Sequence, residues 1–78
     1  MHAKGTQTMN DFSIVHNSEK YTVTQYECSA AIKDHATQDV LMLGADDAIE
    51  LEYQSILADG YSDSLVRSFW HIVQVNNH

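Results

Sequence analysis

The sequence predicts a small single α+β domain. The expected parts are an N-terminal β-hairpin, a central amphipathic helix over residues 46–59, and a C-terminal segment over residues 65–75 packed with it. Three observations carry that prediction. Two runs rich in β-branched and aromatic residues, FSIVH and YTVTQYEC, flank the turn-like NSEK. Two glycines, Gly44 and Gly60, bracket a stretch with helical spacing. Apolar residues make up 44% of the chain and include Trp70, Phe12, Phe69 and four tyrosines, which is enough to build one core.

Taken in order, residues 1–10 are polar, contain Gly5 and show no apolar periodicity. They read as a disordered lead ahead of a single domain over residues 11–78, with Met9 a second candidate start. Across the next stretch the alternation is of strand type. In YTVTQYEC, Thr22, Thr24, Tyr26 and Cys28 share one face, and Tyr21, Val23, Gln25 and Glu27 share the other.

The segment over residues 30–43 reads two ways. Ile32, Ala36, Val40 and Leu43 recur at spacings of four, four and three, which favours a helix that Ser29 could cap. DVLML as a short buried strand is the alternative, because periodicity does not decide so short a run. Between the glycines, Ala45, Ile49, Tyr53 and Ile56 line one side of a helix that Gly60 ends. Asp47 and Glu50 have the spacing of a capping box at its start.

The last segment, SDSLVRSFWHIVQV, is divided. Its polar positions Ser64, Arg67, Ser68, His71 and Gln74 suit a helix capped by Ser62. Phe69, Trp70, Ile72, Val73 and Val75 suit a central strand, which is the reading the β-branched end favours. If every ambiguous segment were helical, the chain would be a β-hairpin followed by three helices.

Composition narrows the activity. Eleven acids against four bases leave a net charge of −7, which disfavours direct binding to nucleic acid. A lone Cys28 permits no internal disulfide, and the N-terminal residues lack the apolar stretch of a signal peptide. No apolar run is long enough for a bilayer, so a cytoplasmic protein with no membrane contact is expected.

Chemistry is thinly supplied. Among the five histidines, only His35 with Asp39 would stand one helical turn apart, and two ligands do not make a metal site. Cys28 reads as a small buried residue without the electropositive surroundings a reactive thiol needs. No G-x-S-x-G elbow is present. We therefore expect no enzyme, no cofactor and no metal.

What remains is acid. The stretch from Leu43 to Gly60 holds five of the eleven carboxylates and no base. Asp46, Asp47 and Glu50 stand where the helix dipole favours anions. Glu52 falls between Ala45, Ala48, Ile49 and Ile56, where a carboxylate needs a partner: Arg67, Lys33 or an arginine of another protein. Phe69 and Trp70 read as core. If exposed, Trp70 and Tyr61 would instead anchor a partner beside the acid.

The expected function is that of a small acidic protein-binding module, of the kind encoded by phages and mobile elements. It would inhibit a host protein by occupying its basic, nucleic-acid-binding surface. Asp46, Asp47, Glu50 and Glu52 are the expected contacts, with Asp39 and Asp63 beside them. The alternative is a structural subunit or homodimer with no activity of its own.

Overall fold

Two consecutive hairpins form the sheet. The computed structural model describes residues 12–76, so the polar lead of residues 1–10, together with Asp11, Asn77 and His78, lies outside the described residues. Strands β1 (Phe12–Asn17), β2 (Tyr21–Tyr26), β3 (Ala30–Asp34) and β4 (Val40–Leu43) pair antiparallel in the order of the chain. Helices α1 (Ala45–Leu57) and α2 (Asp63–Asn76) follow. The architecture is α+β.

The first hairpin follows the sequence. Ser18 closes its turn, donating its N–H to the Tyr21 carbonyl at 2.8 Å and accepting the Tyr21 N–H on its hydroxyl at 3.1 Å. Residues 27–29 form the next turn, so β2 stops at Tyr26 and Cys28 is exposed in the turn rather than buried on a strand.

A bulge between Ile14 and His16 governs the faces of β1. Phe12 opposes Tyr26 and Ile14 opposes Thr24, but His16 opposes Val23. Val15 is the extra residue, and it packs against the core. Without that insertion His16 would share the face of Phe12 and Ile14; with it, His16 turns to the inner face.

Residues 30–43 are a second hairpin, not the helix favoured by the spacing of Ile32, Ala36, Val40 and Leu43. Ala30 and Ile32 alternate into the core and pair with Leu43 and Leu41. The turn between them is fixed by side-chain chemistry. The Asp34 carboxylate accepts the Ala36 N–H at 2.9 Å, and Gln38 takes a positive φ of 66°.

Residues 65–75 lie within a helix, not a strand. The Ser62 hydroxyl accepts the Leu65 N–H at 3.1 Å, as expected of a cap. Val66, Phe69 and Val73 are buried, while Ser64, Arg67, Ser68, His71 and Gln74 are exposed. Burying one helical face outweighs the strand preference of its β-branched residues.

Helix α1 starts two residues before Asp47. Gly44 is its N-cap in extended conformation, with no side-chain cap, so the Asp47–Glu50 capping box is not formed. The helix ends in a Schellman arrangement: Gly60 N–H bonds the Ser55 carbonyl at 2.7 Å and Asp59 N–H bonds that of Ile56 at 3.2 Å. The left-handed residue is Asp59 at φ 65°, and Gly60 follows at φ 123°.

The core lies between the inner sheet face and the two helices. Val23, Ile32, Leu43, Leu51 and Val66 are its fully buried centre, each worth about 1.5–3 kcal/mol of burial. Helix α1 meets it through Ala48, Leu51 and Ser55, about 120° around the helix from the stripe of Ala45, Ile49, Tyr53 and Ile56. That larger stripe was expected to face the core. It faces outward.

Candidate functional site

Small side chains set the orientation of α1. Ala48 and Ser55 flank Leu51 on the buried side, and small residues allow a helix to approach a sheet closely. The Ser55 hydroxyl is satisfied within the helix by the Glu52 carbonyl at 2.7 Å. The outward side then carries the bulk: Ile49, Tyr53, Ile56 and Leu57 are each more than half exposed.

Carboxylates flank this apolar ridge. By helical rotation Asp46 falls in line with the ridge at its N-terminal end, while Glu50 stands on one side of it and Glu52 on the other, between the ridge and the buried side. Glu52 is exposed, which removes the burial penalty that the sequence implied for it. Neither Arg67 nor Lys33 pairs with it; among the described residues the one ion pair is His16 with Asp63. Glu52 and Ile49 instead border a groove closed on its far side by Glu27 and Cys28 of the β2–β3 turn. Glu50 accepts a hydrogen bond from the Gln54 amide at 2.7 Å one turn on. Helix α1 contains no Lys, Arg or His.

The other expected contacts are placed elsewhere. Asp47 is half-buried in the first turn of α1. Asp39 lies in the β3–β4 turn, where its N–H bonds Thr37 Oγ1 at 3.2 Å. His35 is not one helical turn from Asp39, because the segment is a hairpin; its Nε2 bonds Thr22 Oγ1 at 2.7 Å. Among the described residues no group of three His, Cys, Asp or Glu side chains is placed to hold a metal ion.

Asp63 is tied inside the chain. One of its oxygens, Oδ1, meets His16 Nε2 at 2.7 Å and accepts the Ser18 hydroxyl at 2.6 Å. These two hydrogen bonds, His16 first, hold its carboxyl below the ordinary 3.8. The bond pins the first turn of α2 to β1 and the β1–β2 turn, 47 residues away from His16 in sequence. Ser, His and Asp are the residue types of a nucleophilic triad, but here Ser18 and His16 both bond the same carboxylate oxygen. No hydrogen bond joins Ser18 to His16 among the described residues, so serine and base are uncoupled.

The two aromatic residues that could have served as anchors are partly buried against the core. Trp70 and Tyr61 pack against the buried cluster, Phe69 is part of it, and the Tyr61 hydroxyl accepts a hydrogen bond from Gln25 at 3.0 Å. The exposed aromatic on the acidic helix is Tyr53, which the sequence had pointed inward.

Among the described residues no helix is long and apolar enough to cross a membrane. Comparisons with protein-family models, with curated proteins and with solved structures each find no match.

Proposed function

We propose that this chain is a protein-binding module that docks through the outward face of α1. One observation carries the reading. The ridge of Ile49, Tyr53, Ile56 and Leu57 is exposed along a helix whose charges are all negative. An exposed apolar stripe with a polar rim is a common form of protein contact site. The rim here consists of Asp46, Glu50 and Glu52, so the partner that fits is apolar at its centre and basic around it. Asp39 and Asp63 drop out of the contact set, and Asp47 contributes at its edge. Where the partner's basic surface serves nucleic acid, docking puts carboxylates at the positions of phosphates and inhibits it.

Tyr53 replaced by a photo-crosslinking residue identifies the partner in the native host, and affinity is then measured with purified components. Binding should weaken as ionic strength rises, through slower association. Tyr53→Ala should cost about 2 kcal/mol, some 30-fold, as the central anchor. Salt-independent binding, or full affinity in the Tyr53→Ala and Glu50→Lys variants, rules the reading out.

A further inference from the structure

The outer face of the sheet, opposite the helices, is a second surface independent of α1. The registers place three rows on it: Phe12 with Tyr26; Ile14, Thr24, Ala31 and Met42; and Asn17, Thr22, Lys33 and Val40. Phe12, Ile14, Met42 and Val40 are each more than half exposed, and the Phe12 and Tyr26 rings stand 6.0 Å apart. Among the described residues no carboxylate lies on this face, although the chain has eleven. The one charged side chain among the described residues of this face, Lys33, is in the row at the polar end, where Thr22 bonds Asn17 at 3.1 Å.

We infer that this face pairs with the same face of a second copy. The charge distribution selects that occupant. Two chains of −7 repel over most of their surfaces, and this is the one sheet face across which no carboxylates would oppose each other. A basic partner gains nothing here and meets Lys33. Shape agrees, since the small Thr24 and Ala31 form a trough between Ile14 on β1 and Met42 on β4, which an apolar side chain of the other copy can fill. Sheets stacked face to face bury such a layer at about 10 Å separation. Four strands about 4.8 Å apart and some 17 Å long give a flat face of about 320 Å², so two copies cover about 640 Å² of flat area, and the side chains standing off it raise the accessible surface withdrawn toward about 1,000 Å². About 1,000 Å² is the lower limit for a specific interface, so the pairing is expected to be weak.

Sedimentation equilibrium of the full chain across a concentration series is the test. The expected result is a twofold rise in mass, shifted to lower concentration by added salt because screening relieves repulsion between the copies. Ile14→Glu and Met42→Glu, each at an exposed position, should remove the dimer, whereas Ile56→Glu on α1 should retain it. Hydroxyl-radical footprinting of the unaltered chain avoids any effect on folding: Met42 and Tyr26 should gain protection with concentration and Tyr53 should not. A chain that stays monomeric to about 1 mM overturns the inference. So does a dimer that survives Met42→Glu and Ile14→Glu, or that protects Tyr53 in place of Met42.

Discussion

The rotation of α1 can be tested by truncating one residue from each of its two apolar stripes. Leu51 is 0% exposed and Ile56 is 67% exposed. Leu51→Ala removes a buried branch and leaves a cavity, at a cost of about 3 kcal/mol. A 78-residue chain is stable by about 4–12 kcal/mol at the usual value per residue, so this one change removes a large share of the whole. Ile56→Ala loses about a third of a buried isoleucine's contribution, about 1 kcal/mol, and regains about 0.4 kcal/mol because alanine is the better helix former. Urea unfolding followed by Trp70 fluorescence reads both at one protein concentration. With a slope of about 1 kcal/mol per M, the midpoint should fall by about 3 M for Leu51→Ala and by about 0.5 M for Ile56→Ala. If Ile56→Ala proves the more costly, the helix is turned by about 120° from the orientation described and its ridge is core rather than contact surface.

Three further outcomes are expected. Because the folded pKa of Asp63 is lowered from 3.8, its hydrogen bonds stabilise the fold fully above the unfolded value and lose that effect as pH falls through the lower folded one. The stability gap between the unaltered chain and Asp63→Asn should therefore narrow as pH falls below 3.8, and a gap unchanged by acid, read from urea midpoints, contradicts the pairing. Ser62→Ala removes the cap of α2 and should cost about 1 kcal/mol by thermal melting, with Ser62→Gly costing less. Gly60→Ala meets open space but must hold φ 123°, so a loss of about 1–2 kcal/mol comes from the backbone alone; an alanine that stabilises would show that the turn is not held in that form.

Local signals in the sequence were sufficient where one pattern was present and failed where two competed. The β1–β2 hairpin was legible because alternation and the NSEK turn agree. In residues 30–43 the helical spacing of Ile32, Ala36, Val40 and Leu43 was coincidental, and the informative residue was Asp34, whose carboxylate caps a turn. In α1 both stripes are apolar, and size pointed to Ile49, Tyr53 and Ile56. Packing selected Ala48, Leu51 and Ser55 instead, because closeness to the sheet depends on small residues as much as on large ones. The glutamate that looked misplaced, Glu52, was therefore a sign that the stripe beside it faces outward. The bond of Asp63 to His16 was not legible at all. It depends on a bulge that reverses the face of His16, and on two elements far apart in the chain.

The order of the strands has a kinetic consequence. Every pairing in the sheet joins sequence neighbours, so loop closure is short throughout and contact order is low for a β-containing chain. The meander can assemble early and rapidly, before either helix is in place. Its inner face, with Val23, Ile32 and Leu43, then stays uncovered until α1 and α2 dock. During synthesis from the N-terminus, the sheet precedes its own cover, and aggregation competes with folding most strongly in that interval. The bond from Asp63 to His16 is the longest-range hydrogen bond among the described residues, and it belongs to the last step, when α2 docks.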